Sequence, residues 1–187
     1  MRWGYYSRAS FIGPGTVFVY LHFRYDRVTH KNDIALVKLQ RPVVYRNGLK
    51  PACLPKKFIG YPLNSLRTKP TIIGWGKTGN NHPVSPHLKQ VSVPLVDTGT
   101  CNSKYKKVGD GVKIDNTQIC AGDDSSDSCS GDSGGPLLSS ELDEGRWSVI
   151  GIVSFGAKGY CADSTFPGVY TRVDQFLDWI ERNSFDT

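Results

Sequence analysis

The stretch from Cys129 to Leu137 reads Cys-Ser-Gly-Asp-Ser-Gly-Gly-Pro-Leu and contains the residue types that a serine nucleophile needs around it. A hydroxyl that attacks an acyl group requires an open approach and hydrogen-bond donors for the developing oxyanion. Gly131 has no side chain to block that approach, and the amides of Gly131 and Ser133 can point at one position. A chance glycine-rich turn is the structural alternative, but the full string with its flanking residues is far more specific. The motif predicts Ser133 as nucleophile and the Gly131 and Ser133 amides as an oxyanion hole.

Further short motifs accompany this one along most of the chain. Together they resemble the trypsin/chymotrypsin family of serine proteases, in the order of that family. They are Asn32-Asp33-Ile34-Ala35-Leu36, Gly74-Trp75-Gly76, Ile119-Cys120-Ala121-Gly122, Ser154-Phe155-Gly156 and Pro167-Gly168-Val169-Tyr170-Thr171. The continuation through Lys77-Thr78, and Phe155 where Trp is commoner, resemble the arthropod clip-domain proteases within that family.

The resemblance assigns a catalytic role to Asp33, which taken alone would be an ordinary aspartate at the start of a strand. It implies that Asp33 is the acid of the catalytic triad, where it would fix the tautomer of a histidine and stabilise its imidazolium. It also implies that Ser154 donates a hydrogen bond to this acid. Asp33 lies 100 residues before Ser133 in the sequence.

A second acid, Asp127, lies six residues before Ser133. The resemblance makes Asp127 the floor of the primary specificity pocket, where it would select Arg or Lys before the cut bond through a charge-assisted pair. It makes Gly156 and Gly168 pocket walls that leave room for a long side chain. The alternative is that Asp127 is one more solvated acid in the run of residues 123–127, because acidic loops are normally surface.

The chain has five cysteines, and an odd number predicts two internal disulfides and one unpaired residue. No C-x-x-C spacing is present, so a zinc site is not expected, and no motif calls for a metal or a cofactor. The resemblance implies the pairs Cys101–Cys120 and Cys129–Cys161. It further implies that Cys53 bonds to a polypeptide segment upstream of the protease domain. Disulfides place the protein in an oxidising compartment, so we expect it to be secreted.

The histidine of the triad has no counterpart in this chain. Only 32 residues precede Asp33, and none of the four histidines, His22, His30, His82 and His87, lies in a counterpart of the segment that carries the catalytic histidine. The stretch of residues 20–25 around His22 resembles an H-P-x-Y segment of the family, which is a structural position. We expect all four to be exposed or structurally satisfied; His30 would have to enter from a surface loop to act as a base. The mature amino terminus that pairs with the acid before the nucleophile, here Asp132, is also absent. The chain as written is therefore expected to be inactive.

Two functions from different classes follow. The first is a serine endopeptidase that cleaves extracellular proteins after Arg or Lys, possibly within a cascade, and that serpin-type inhibitors would block. The second is a non-catalytic protease homologue that acts as a binding or regulatory module. Retention of Ser133, Asp33 and Asp127 favours the first, because such homologues often replace the nucleophile.

Composition and charge exclude several other classes of protein. Hydrophobic residues make up 39% of the 187 residues, with 20 Gly and 11 Pro, which indicates a folded, turn-rich chain. No apolar run approaches a membrane span, so no membrane association is expected. Residues 1–93 carry 15 Lys or Arg and two acids, but these cations are scattered and not interleaved with aromatics, so nucleic-acid binding is not expected.

The fold prediction is all-β. Strand-like segments separated by turn signals are expected at 17–21, 34–39, 71–75, 90–96, 136–139, 146–155 and 168–173. Apolar residues at helical spacing predict a helix over Asp174–Asn183. With the resemblance, this gives a trypsin-like double β-barrel with an incomplete first barrel, a complete second barrel and a C-terminal helix. The expected divisions are residues 1–50 for the remnant of the first barrel and its linker, 51–172 for the second barrel, and 173–187 for the helix.

Overall fold

The structure is a computed structural model that describes residues 16–55, 66, 68–106, 112–141, 145–157, 161 and 165–184. Nine strands and two α-helices follow one another along these residues. The strands are β1 (Thr16–Leu21), β2 (Ala35–Leu39), β3 (Thr71–Gly74), β4 (Lys89–Ser92), β5 (Leu95–Val96), β6 (Gln118–Ala121), β7 (Pro136–Ser139), β8 (Ser148–Phe155) and β9 (Gly168–Arg172). The helices are α1 (Thr98–Tyr105) and α2 (Leu177–Ser184). The expected all-β class with a C-terminal helix is confirmed.

Strands β1 and β2 form a two-stranded antiparallel sheet, which we call the ribbon. Val19 faces Val37 and Leu21 faces Ala35, so β-branched and aliphatic side chains pair across it. Val19 is nevertheless 47% exposed and Val37 44% exposed. An apolar two-stranded sheet with exposed faces is what an incomplete first barrel leaves.

The other seven strands form one antiparallel sheet in the order β4-β3-β7-β8-β9-β6-β5. Its two edge strands, β4 and β5, are consecutive in the chain and are separated only by Val93 and Pro94. Because two residues join opposite edges, the sheet must curl round until those edges meet. Val93 is completely buried at this junction.

The curled sheet encloses the main hydrophobic core. Its buried members come from most of the strands and from the β4–β5 junction: Ile72, Val93, Ile119, Ala121, Leu137, Ile150, Val153 and Tyr170. A second cluster surrounds the Cys101–Cys120 disulfide, where Tyr105, Ile114 and Val169 pack. This disulfide fixes α1 against β6.

Two elements were not predicted from the sequence. Helix α1 reads Thr-Gly-Thr-Cys-Asn-Ser-Lys-Tyr, which is rich in weak helix formers. It is instead started by Asp97, whose carboxylate accepts the Thr100 amide at 2.9 Å, and held by its buried disulfide. Strand β6 has no alternating pattern because all four of its residues are buried.

Two predicted boundaries also shifted. The predicted strand over 90–96 is divided into β4 and β5 by Pro94, which cannot donate a ladder hydrogen bond. The C-terminal helix begins at Leu177, after a single 3₁₀ turn over Val173–Gln175, rather than at Asp174.

None of the described helices is long and apolar enough to cross a membrane. The divisions at residues 50 and 172 remain predictions.

Helix α2 is joined to the ribbon end through His22. The His22 ring meets Phe176 edge-on at 5.5 Å between centroids and lies 5.1 Å from the Trp179 ring. His22 is buried, and its Nδ1 accepts the Arg24 amide at 3.3 Å. Burial lowers the pKa of His22, and the positive charge of Arg24 lowers it further. This histidine therefore packs in the core as a neutral ring.

Leu137→Ala should destabilise the fold by about 2–5 kcal/mol, because it opens a cavity at a site where the side chain is completely buried. Leu88→Ala is the matched control, since Leu88 is 51% exposed and its loss should change the free energy of unfolding by less than about 1 kcal/mol. Urea unfolding followed by tryptophan fluorescence measures both. Equal destabilisation by the two variants would contradict the core described above.

Candidate active site

A cavity of about 370 Å³ opens between the loop that joins β6 to β7, the end of β8 and the start of β9. Seven of the residues singled out in the sequence line it, although they come from distant parts of the chain: Asp127, Cys129, Ser133, Ser154, Gly156, Cys161 and Gly168. The fold therefore brings the predicted nucleophile and the predicted pocket acid to one cavity.

The loop that carries Ser133 depends on two glycines with left-handed backbone. Gly131 has φ +103° and Gly134 has φ +80°, conformations that residues with a side chain rarely adopt. A Cβ on Gly131 would also lie 3.1 Å from the Gly76 Cα. Ser133 itself is exposed at the turn between them. The loop thus presents the hydroxyl to the cavity on a tightly constrained backbone.

The amides along this loop fall into two groups. Those of Asp132, Gly134 and Gly135 donate to the carbonyl oxygens of Cys129, Val153 and Asp132 at 2.8–3.0 Å. Those of Gly131 and Ser133 donate to no acceptor within the described part of the chain. These two amides are the pair that the sequence predicted for an oxyanion hole, and both remain available to an external oxygen.

Asp132 anchors the loop to the β3–β4 connection. Its Oδ1 accepts the Gly76 amide at 2.7 Å, and its Oδ2 accepts the Cys129 amide at 3.0 Å. A Cβ on Gly74 would lie 2.0 Å from Asp132 Oδ1, and one on Gly76 would lie 2.4 Å from Asp132 Cγ. Only glycine at both positions lets the carboxylate approach this closely. A separate cavity of about 310 Å³ adjoins this carboxylate.

Asp33 joins the ribbon to the large sheet. Its Oδ2 accepts the Ser154 hydroxyl at 2.7 Å, as the resemblance implied. Its backbone carbonyl accepts the hydroxyl of Thr171, which is almost completely buried, at 2.7 Å. The neighbouring Lys31 forms an ion pair with Asp115 at 2.8 Å. Asp33 is half-buried and is held at both its side chain and its backbone.

Asp127 is half-buried in the cavity wall rather than solvated in the acidic run. Its Oδ1 accepts the Ser128 amide at 2.7 Å and lies 3.4 Å from the Tyr170 hydroxyl, which also donates to Ser128 Oγ at 3.1 Å. Burial raises the pKa of Tyr170 well above its ordinary value, and the negative charge of Asp127 raises it further. Tyr170 therefore stays protonated beside the carboxylate.

The glycines beside Asp127 differ in their surroundings. A Cβ on Gly168 would lie 2.5 Å from Asp127 Oδ1 and 3.1 Å from the Tyr170 hydroxyl. A Cβ on Gly156 would meet nothing within 4 Å. Gly168 is thus required for the position of the carboxylate, whereas Gly156 keeps the cavity itself open.

Both expected disulfides are present. Cys101 pairs with Cys120, and Cys129 pairs with Cys161, while Cys53 forms no disulfide. The Cys129–Cys161 bridge lines both the 370 Å³ cavity and the cavity beside Asp132. It therefore forms part of the wall between them.

No histidine contacts the nucleophile loop or the Asp33 carboxylate within the described residues. His30 has φ +51° and packs its ring 4.9 Å from the Phe155 ring. His82 Nδ1 lies 3.2 Å from the Thr78 hydroxyl, and the His87 backbone bonds to the Ser85 hydroxyl. The triad base expected by resemblance has no equivalent among these side chains.

No cluster of three potential metal ligands occurs among the described residues.

Several residues of the site were not singled out from the sequence. Lys77 and Asn80 line the cavity from the β3–β4 connection, and Asn80 Oδ1 accepts the Cys161 amide at 2.9 Å. Tyr170 was noted only as part of a motif. These contacts span 40 residues or more, and no local pattern encodes them.

Asp132→Asn should cost about 1–3 kcal/mol in the free energy of unfolding. An amide side chain can accept only one of the two backbone N–H groups and must turn its own donor toward the other. Glu181→Gln, a charge-matched change on exposed helix α2, should cost less than about 0.5 kcal/mol. Chemical unfolding at neutral pH compares them, and a neutral effect of Asp132→Asn would refute the anchoring role.

Comparison with known proteins identifies the family of this chain. The Trypsin family model matches residues 8–180. The proclotting enzyme of Tachypleus tridentatus is 42% identical over 161 residues, which are 85% of this chain and 41% of that protein. CLIP domain-containing serine protease B15 of Anopheles gambiae is 38% identical over 167 residues, covering 88% and 44%. Chymotrypsin-C of Bos taurus is 37% identical over 174 residues, covering 92% and 61%. The chain thus spans about half the length of these relatives, and it belongs to the trypsin family.

Proposed function

We propose that this chain is part of a serine endopeptidase that cleaves proteins after Arg or Lys. The observation that carries the proposal is the single cavity lined by both Ser133 and Asp127. A serine of this kind forms an acyl-enzyme, and an acid in the same cavity selects a cationic side chain next to the reacting bond. The family membership supports the chemistry, and the cavity supports the specificity.

Asp127 is proposed to bind the basic side chain of the substrate. Its carboxylate accepts from Ser128 and Tyr170, and an ionised carboxylate offers about four acceptor sites in all. Open space beside Gly156 leaves room for a long aliphatic stem. A guanidinium or ammonium group that reaches Asp127 forms a charge-assisted bond in a partly desolvated site.

Ser133 is proposed to attack the carbonyl carbon of the bond that follows the basic residue. The Oγ–carbon bond forms as the carbonyl π electrons move to oxygen, and the amides of Gly131 and Ser133 donate to that oxyanion. The hydroxyl proton must pass to a base, and collapse of the intermediate expels the protonated amine. Asp33 is proposed to orient that base, which the four histidines of this chain do not supply. The chain alone is therefore expected to turn over very slowly.

The cavity beside Asp132 has room for the α-amino group that, by resemblance, pairs with this acid. In the trypsin family a new α-amino group pairs with this acid and orders the oxyanion loop. In this chain the two oxygens of Asp132 accept two backbone amides, and the adjoining 310 Å³ leaves space for an amine. We propose this cavity as the seat of that amino group.

The setting of the protease is proposed to be extracellular. Two disulfides require an oxidising compartment, and the half-buried Cys53 is available to bond a polypeptide outside this chain. One relative is named a proclotting enzyme, which supports a role in a proteolytic cascade. Serpin-type inhibitors, which present a substrate-like loop, are proposed partners of the same cavity.

A non-catalytic binding role is the second candidate. It is favoured by the positions of the histidines, because His22 packs against Phe176 and His30 packs on Phe155, so neither is placed as a catalytic base. The intact cavity with Ser133 and Asp127 favours the protease, since a binding module has no need of either.

Asp127→Asn should weaken binding of 4-aminobenzamidine, an aryl cation, by about 10- to 100-fold. This range corresponds to about 1.5–3 kcal/mol for a hydrogen bond to a charged group. Asp124→Asn is the matched control, because it removes an exposed acid from the same loop and should leave affinity nearly unchanged. Fluorescence titration measures both. Equal losses would mean that Asp127 contributes only to the general charge of the loop.

A fluorophosphonate probe should label Ser133 slowly in this 187-residue chain, and not at all in Ser133→Ala. Loss of the histidine in an analogous enzyme lowers turnover by about 10⁶-fold, so labelling at least about 10³-fold slower than that of complete bovine chymotrypsin-C is expected. In-gel fluorescence over a time course gives the rates. Labelling as fast as the complete enzyme would show that the chain contains a working base, and no labelling after prolonged exposure would favour the binding module.

A further inference from the structure

The acidic and basic residues of this chain are distributed unevenly in a way that the proteolytic site does not use. From residue 34 to residue 96 the sequence contains ten lysines and arginines and not one aspartate or glutamate. Cations in such a stretch have no acidic neighbours along the chain to neutralise them. Their charge is therefore left for partners elsewhere on the protein or outside it.

The structure shows where the described cations of this stretch are most concentrated. The segment of residues 37–52 is exposed at every position, and we call its part from Lys38 to Lys50 the basic segment. It carries Lys38, Arg41, Arg46 and Lys50. Within the described part of the chain none of these four forms an ion pair, in contrast to Lys31, which pairs with Asp115, and Arg172, which pairs with Asp174.

Backbone hydrogen bonds hold the basic segment near both of its ends. Lys38 belongs to β2 and pairs with Phe18 of β1. Further on, the amide of Leu49 donates to the Arg46 carbonyl at 2.9 Å, and the reverse bond is 3.3 Å long. Gly48, with φ +82°, closes this turn. Arg46 and Lys50 are thus brought to the same end of the turn.

The far end of the segment is also tied down. The Cys53 amide donates to the Trp147 carbonyl at 3.2 Å, and the Cys53 carbonyl accepts the Val149 amide at 2.9 Å. The basic segment is consequently an exposed strip attached to the protein on both sides. None of its residues lines the 370 Å³ cavity, so a ligand on the strip leaves the proteolytic site open.

We propose that the basic segment binds a sulfated polysaccharide. Closely spaced sulfates accept hydrogen bonds from guanidinium and ammonium groups, and a linear polyanion gains affinity by releasing its condensed counterions. Four unpaired cations along one exposed strip match a chain-like partner. Nucleic acid fits less well, because Tyr45 is the one aromatic residue between Lys38 and Lys50 and bases need stacking partners.

An anionic lipid surface is the competing partner, because Val43, Val44 and Tyr45 are exposed between Arg41 and Arg46. A lipid surface would use these apolar side chains at the centre of the strip. The cations, however, continue to both ends of the strip, so a flexible linear polyanion contacts all four. The observations favour the polysaccharide.

Binding of the 187-residue chain to heparin should depend on these side chains. The triple variant Lys38→Gln, Arg46→Gln, Lys50→Gln should bind heparin at least about tenfold more weakly near 50 mM salt. The slope of log affinity against log salt should also become less steep, by about 0.9 for each of up to three lost contacts. The control Lys106→Gln, Lys113→Gln, Arg182→Gln removes the same three charges from exposed positions outside the strip and should cost less than about threefold. Isothermal titration calorimetry measures each.

Neutral dextran and phosphatidylcholine vesicles with phosphatidylserine serve as further probes. The proposal expects no binding to dextran and heparin binding that is unaffected by Val44→Ser with Tyr45→Ser. Equal weakening by the two triple variants would overturn it, because net charge alone would then account for binding. Vesicle binding that is lost on Val44→Ser with Tyr45→Ser, without specific heparin binding, would assign the strip to membranes instead.

Discussion

The two hydrogen bonds that Asp132 accepts determine the geometry on which the candidate site depends. They tie the loop before β7 to the β3–β4 connection and to the start of its own turn. Around this fixed carboxylate Gly131 and Gly134 take left-handed backbone, and the amides of Gly131 and Ser133 donate to no acceptor in the described part of the chain. The requirement for glycine at 74 and 76 follows from the same carboxylate, because any side chain there would collide with it. The predicted nucleophile and its predicted oxyanion donors thus lie on a loop that one carboxylate anchors at two points.

The ribbon depends on the large sheet in a comparable way. It exposes apolar residues on its own, yet Asp33 is held by Ser154 and Thr171, and Lys31 is held by Asp115. His22 adds a contact with α2 through Phe176 and Trp179. These polar and aromatic contacts place the predicted triad acid beside the cavity, although the described part of the first barrel consists of the two strands of the ribbon. The same ribbon begins the exposed basic strip, so one element serves both the site and the proposed polyanion surface.

The sequence predicted those features that a local pattern encodes. The string around Ser133 and the strands over 136–139 and 168–173 could be anticipated from such patterns, whereas the pairing of both disulfides came from the family resemblance. Helix α1 could not, because its residues are poor helix formers and its stability comes from the Asp97 cap and a buried disulfide. Strand β6 was missed because complete burial removes the alternation that marks a strand. Tyr170 and Asn80 reach the site through contacts between distant residues, which no short window of sequence reveals.

The central claim is that one cavity holds a cation-binding acid and a serine nucleophile together. A crystal structure of this chain with 4-aminobenzamidine tests it most directly. The account predicts the amidinium within hydrogen-bond distance of the Asp127 carboxylate, with the aromatic ring between Gly156 and Gly168 and directed toward the Ser133 loop. An amidinium bound elsewhere, or an Asp127 carboxylate turned to solvent with Ser133 on a separate surface, would contradict it.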